Sequence, residues 1–413
     1  MTAIRFVGVG LQALAMVFLA RALSLDEMGI FATIYAFLGA VRFLGPLGSD
    51  QLVLRRVAGE YEGKITPESQ ALLDTSTALS LSVAVLITLV IFGFFYIQKP
   101  TDPLNFLELI AVAAAIPAFS LIGVFISQIR AMGSNLQAQT PEALGLHLVF
   151  LLIFAIASWL EMVGRQSVLI CLSISCWLIV MVYLVMRRRH GVIGFLFPSA
   201  KDIFCMARNA ASNFQALFFT TLSTRAPIFI AALLGGAPTA ALMDIALRFG
   251  KVASMTTTSV ATTFSPKFAK NAYSGQVQAL SKSLRQACFL AAVPAFTWLA
   301  FLVCFGPVLI DAYLPAEYSQ ALYPMLLAAV ASSINAAFGL STNALIMVGR
   351  AKVVSQLSLA QLVVIVIASI TLVPTLSGAG IVVGMILGSL IRDGGGLAYF
   401  IKQRMVLCGS VKV

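Results

Sequence analysis

Residues 74–97 read DTSTALSLSVAVLITLVIFGFFYI, and beyond Asp74 no charged side chain interrupts them. A helix needs roughly 20 apolar residues to cross the bilayer hydrocarbon, and this run supplies them. No water is available there to satisfy backbone N–H and C=O groups, so the run must bond internally as a helix. Runs of the same kind recur outward from it, at about 3–20, 29–54, 106–129, 143–160 and 166–186, then 205–233, 239–264, 285–309, 321–347, 353–373 and 377–401. The pattern predicts an all-α polytopic membrane protein of about twelve transmembrane helices. Alternating strands of the kind that build membrane barrels are not visible.

Composition agrees. The chain has 413 residues, 60% hydrophobic and 10% charged, with mean hydropathy +0.97, a balance that a soluble domain could not keep off its surface. The formal net charge of +11 invites a nucleic-acid reading. Its basic residues, however, fall in short loops between apolar runs, where they set membrane orientation. One set of loops carries Arg55, Arg56, Lys64, Arg130, Arg187, Arg188, Arg189, Lys201, Arg208, Lys267, Lys270, Lys282, Arg285, Arg350 and Lys352, whereas the other has Arg21, Lys99 and Arg165. That asymmetry predicts an inner (cytoplasmic) membrane protein with both termini in the cytoplasm.

The longest mid-chain polar interruption opens RRRH at Arg187 and contains GFLFPSA (194–200), expected to lie on the cytoplasmic surface. It divides an N-terminal six-helix bundle (1–189) from a C-terminal one (205–413) through a linker at 190–204. A faint repeat fits this division: GLQALAMVFLARA (10–22) and NFQALFFTTLSTRA (213–226) share a QAL start and an RA end. Segments 29–54 and 321–347 exceed the spanning length, so tilt or kinks are expected, at Gly45-Pro46 and at Pro117, Pro227, Pro294 and Pro324.

Six cysteines lie mostly in apolar runs without metal-ligand spacing, and His147 and His190 are far apart in sequence. No metal, disulfide or cofactor is expected. No cleavable signal peptide is expected either, because no small-residue processing site separates the first two apolar runs.

The functional signal is the set of cations left at membrane depth: Arg42, Arg225, Arg248, Lys251 and Arg392. A charge at the bilayer centre costs about 2.5–3.5 kcal/mol on insertion scales, so each needs a partner or a wet cavity. Asp244, Arg248 and Lys251 stand at i, i+4 and i+7 and share one stripe, continued by Thr258 and Thr262. One reading is an Asp244–Arg248 ion pair that only cements the bundle. The other starts from Asp50, Asp244 and Asp393 as the deep carboxylates, which leaves a cationic surplus for an anionic substrate. Guanidinium forks suit phosphate, so Arg42, Arg225, Arg248 and Lys251 are expected to line a binding cavity. Asp50 and Asp244 are the candidates for ion coupling or charge pairing. Arg55, Arg56 and Arg392 are expected at the cytoplasmic entry, Arg392 snorkelling to the interface and pointing away from Asp393.

LARALSLDEMG (19–29), GPLGSDQLVLRR (45–56), RAMGSNLQAQTPEAL (130–144), PAEYSQALYPMLLAA (315–329) and NALIMVGRAK (343–352) resemble segments of the polysaccharide transporter branch, with its Wzx-type flippases, of the multidrug/oligosaccharidyl-lipid/polysaccharide (MOP) superfamily. The resemblance covers most of the chain. It implies a MATE-like fold of two six-helix bundles working by alternating access. The implied substrate is an undecaprenyl-diphosphate-linked oligosaccharide for O-antigen, capsule or exopolysaccharide synthesis, handled by a monomer in the bilayer beside a polymerase or ligase. Relatives usually carry a longer lead before the first helix, and a late start codon would account for the difference.

Two alternatives stand beside this. A cation-coupled multidrug exporter would want a carboxylate in the first helix, which offers Gln12 instead. A non-catalytic component of a biosynthetic complex would tolerate loss of Arg42 or Arg248. A membrane enzyme would need a large external loop and a nucleophile with its base, and neither is visible.

Overall fold

The computed structural model describes residues 2–61, 65–98, 104–192 and 198–409. It is all helix: α1 (Thr2–Ala22), α2 (Leu25–Leu44), α3 (Ser49–Glu60), α4 (Pro67–Gln98), α5 (Phe106–Ala131), α6 (Asn135–Thr140), α7 (Leu146–Trp159) and α8 (Arg165–Arg189). There follow α9 (Ala200–Gly250), α10 (Ser254–Tyr273), α11 (Val277–Tyr313), α12 (Leu322–Phe338), α13 (Leu340–Met347), α14 (Ala351–Leu376), α15 (Gly378–Ser389) and α16 (Gly395–Gly409). Among the described residues ten helical segments are long and apolar enough to cross a membrane, and Val7–Ala22 is a shorter apolar helix. One of the ten, 217–265, joins the greater part of the run read as 205–233 to the whole of the run read as 239–264. They meet at Gly236, whose φ of 77° interrupts the helix. Residues 194–197 of the expected surface stretch lie outside the described residues.

Three expectations about helix shape change. The run 29–54 is broken rather than bent: α2 stops at Leu44, and Leu47 and Gly48 turn through φ 50° and 79° before α3 begins. Residues 130–144, which the resemblance implies to be the loop between the runs 106–129 and 143–160, form little loop, since α6 starts at Asn135 and a π-turn over Pro141–Gly145 joins it directly to α7. Pro324 bends nothing, because it is the third residue of α12, where its missing N–H would have had no intrahelical partner.

The chain packs as two units, one of residues 3–15 and 34–221, the other of 16–33 and 222 onward. In the first, α5 is buried on nearly every side. Its Gln128 Nε2 donates to Leu73 O, Ser76 Oγ and Thr77 Oγ1 at 2.9, 2.9 and 3.0 Å, tying α5 to α4. Trp177 Nε1 on α8 donates to Ala114 O at 2.9 Å. In the second unit the core joins Phe264 and Phe268, Leu280 and Leu284, Leu340 and Leu345, and Phe400. There Arg21 donates to the Ala312 and Tyr313 carbonyls at 3.0 and 2.9 Å.

The most extensive helix contact in that unit is α14 against α15. Gly380, Gly384 and Gly388 repeat every four residues on one face of α15. A Cβ at these positions would stand 2.7 Å from Leu372 O, 3.2 Å from Ile365 O and 3.0 Å from Gln361 O. With lipid on the outside, close backbone approach of this kind holds helices together. Gly384→Leu is expected to wedge the pair apart at a cost on the order of 1–3 kcal/mol. A lower thermal midpoint in detergent would register the wedge, whereas an unchanged midpoint would show that the seam relaxes without loss.

Candidate substrate-binding residues

In the first unit Arg42 occupies the last turn of α2. Helix α5 comes so close behind it that a Cβ at Gly123 would collide with the Arg42 carbonyl, which fixes the backbone that carries the guanidinium. The guanidinium lies 4.9 Å from the centre of the Phe43 ring. It grips Glu142 with both terminal nitrogens, Nη2 to Oε2 at 2.8 Å and Nη1 to Oε1. Glu142 stands on the π-turn, and Gly8 of α1 packs so tightly on that turn that a Cβ there would overlap the Ala143 carbonyl. The expected count of deep carboxylates therefore needs correction: Glu142 joins it and neutralises Arg42. Pro141 makes the segment look like a loop in the sequence, yet the chain stays helical through it, the widened turn accommodating a proline inside a continuing helix.

Asp50 begins α3 beside Gln51, whose Nε2 donates to Oδ2 at 2.9 Å. Its Oδ1 is buried without a hydrogen bond, and Arg130 lies within electrostatic reach. Arg56 is exposed, and the Arg55 side chain is outside the described residues.

The second unit holds the larger cluster. Asp244 and Arg248 form the i,i+4 pair, Nε to Oδ2 at 2.7 Å, with Asp244 buried. Lys251 follows in the turn between α9 and α10, so the stripe drawn through Thr258 does not run along one helix. Trp298 Nε1 supports that break by donating to Phe249 O at 2.9 Å. Both Arg225 and Asp244 are within electrostatic reach of Lys251. Three of the four expected cavity cations, Arg225, Arg248 and Lys251, are thus gathered near one carboxylate. The Asp244–Arg248 pair is formed, and Lys251 and Arg225 stand beside it.

Arg392 departs from expectation. It lies on a second π-turn, Leu390–Gly394, with its Nε 3.7 Å from Asp393 Oδ1. Asp393 is fully buried and accepts from Asn335 Nδ2 at 2.8 Å. Neighbouring residues on a regular helix diverge, but the widened turn and the length of arginine let the side chain fold back on the carboxylate.

Two more ion pairs escaped the sequence reading. Arg187, expected as a loop anchor, is buried and bonds Asp74 Oδ1 at 2.9 Å. Arg165, expected in a loop of the other side, donates from Nε and Nη2 to the two oxygens of Glu108 at 2.8 and 3.0 Å. Both arginines were placed in loops because they stand at helix ends.

Comparison with known proteins sets this arrangement in context. The fold resembles an inward-facing multidrug resistance MATE family transporter of the MOP superfamily, with TM-score 0.76 and 14% identity over all of both chains. It also resembles the lipid II flippase MurJ in an inward closed conformation, with TM-score 0.77 and 14% identity over 98% of this chain and 89% of that one. A third likeness, with TM-score 0.70 and 16% identity over 98% and 95%, is to a MOP superfamily transporter from Pyrococcus furiosus described by the reverse polarity of its binding pocket. No curated protein matches the sequence significantly. A family model for polysaccharide biosynthesis proteins matches residues 1–272, about two thirds of this all-α, multi-pass membrane chain, and the protein belongs to that family.

Proposed function

We propose that the protein is a flippase that moves an undecaprenyl-diphosphate-linked oligosaccharide from the cytoplasmic to the periplasmic leaflet by alternating access, from an inner-membrane position with both termini in the cytoplasm. The observation that carries this reading is the grouping of Arg225, Arg248 and Lys251 with Asp244 inside a membrane-spanning segment. Cations grouped at membrane depth are costly unless anions join them. Two guanidinium forks and an ammonium match the charge and geometry of a diphosphate. Arg42 is assigned a contact with the same anion during its passage, and Arg55, Arg56 and Arg392 its reception from the cytoplasm. Membership of the polysaccharide biosynthesis family supports the lipid-linked glycan over a soluble anion. Outward movement of a negative headgroup gains about 2.3 kcal/mol per charge per 100 mV of membrane potential, which favours export. A cation-binding multidrug exporter would call for the opposite charge balance around Asp244.

Deleting the gene is expected to leave lipid-linked oligosaccharide assembled but shielded from a membrane-impermeant sugar oxidant applied at the periplasmic face. Expression of the wild-type chain should restore labelling. Full labelling in the deletion strain would remove the flippase reading.

A further inference from the structure

Three arginine–carboxylate pairs in the first unit are available for comparison, and one differs from the others in kind. Side-chain exposure is 4% and 1% for Arg187–Asp74, and 14% and 2% for Arg165–Glu108. For Arg42–Glu142 it is 21% and 24%, so both partners of this pair are open. The Arg42 Nε is nonetheless buried without a hydrogen bond, so one edge of the fork is enclosed although the side chain as a whole is partly exposed. The backbones on both sides are fixed, α2 by Gly123 of α5 and the π-turn by Gly8 of α1. With both backbones held, the Glu142 side chain is the part of the pair left to move. A carboxylate held in two-oxygen contact with a guanidinium presents the same planar acceptor edge as a phosphate group. We propose that Glu142 is an exchangeable counter-ion, an internal stand-in for the substrate anion that occupies Arg42 when no substrate is bound and is displaced by a phosphate oxygen edge. This rests on the flippase reading and makes Glu142 a specificity-determining residue: an anion binds only if it outcompetes a carboxylate already in place.

The test measures binding of inorganic diphosphate to the full chain in nanodiscs at fixed salt. Glu142→Gln, which removes the competitor's charge, is expected to bind at least tenfold tighter than wild type, and adding Arg42→Gln should erase the gain. Equal or weaker binding by Glu142→Gln overturns the exchange. If that variant does not fold, Glu142→Asp draws the carboxylate back by one methylene. A gain of about threefold then supports exchange, and an unchanged affinity overturns it. Diphosphate bound by wild type and lost in Arg248→Ala, with no gain in Glu142→Gln, overturns the exchange alone. No binding by any of these proteins overturns both the exchange and the anionic substrate.

Discussion

Arg248→Ala is expected to abolish surface polysaccharide while membrane abundance stays at the wild-type level. The two halves of this result follow from the same cluster. Removing Arg248 takes the direct partner from Asp244, but Lys251 remains within electrostatic reach, so the buried carboxylate is not abandoned and the unit should still fold. On the proposed reading the substrate loses one of its two guanidinium forks. Arg248→Lys should recover only part of the polymer, since a point charge cannot bond a phosphate edge in two places. The Asp244→Ala/Arg248→Ala double variant separates the alternatives. If the pair merely cements the bundle, deleting both charges together relieves the orphaned carboxylate and polymer returns. If Arg248 handles the anion, the double variant stays without polymer. Quantified cell-surface polysaccharide against blotted membrane protein gives the answer, and normal polymer in Arg248→Ala would refute the assignment.

Much of the architecture was legible because one solvent imposes it. The apolar runs long enough to cross a bilayer became helical, unbroken for 74–97 within α4 and divided between α2 and α3 for 29–54. Local breaks were legible where a residue carries its own geometric cause, as at Gly45-Pro46, and were missed where the cause lies in the neighbours. The π-turn at Pro141–Gly145 belongs to the second class: α1 packs on it through Gly8, and nothing in PEALG announces that contact. The candidate site divides the same way. Asp244 and Arg248 found each other because i,i+4 spacing is written in the sequence. Arg42 and Glu142 are 100 positions apart, and Asp74 and Arg187 are 113 apart. Pairing over such distances is decided by which helices pack together. Charge counting along the chain therefore overestimated how many cations are left for a substrate.

The largest structural penalty is expected from Arg187→Ala. Both partners of Arg187–Asp74 are almost fully enclosed, and the arginine also lies 5.0 Å from the centre of the Phe125 ring of α5. Truncation leaves the Asp74 carboxylate charged and buried, and breaking a pair of this kind from one side costs about 3–5 kcal/mol. Destabilisation should reach further than the ion pair, because the residues following Asp74 on α4 are those that Gln128 binds from α5. A sharp fall in thermal midpoint and in membrane abundance is the expected outcome, with polysaccharide reduced only in proportion to the protein that remains. Asp74→Asn with Arg187→Gln removes both charges, keeps hydrogen-bonding groups of similar size and should restore most of the stability, since an uncharged buried pair carries a far smaller desolvation cost. Polymer should return with it. Arg187→Ala protein at wild-type abundance but inactive would instead place Arg187 among the residues that handle the substrate, and would move the functional charge of the first unit away from Arg42.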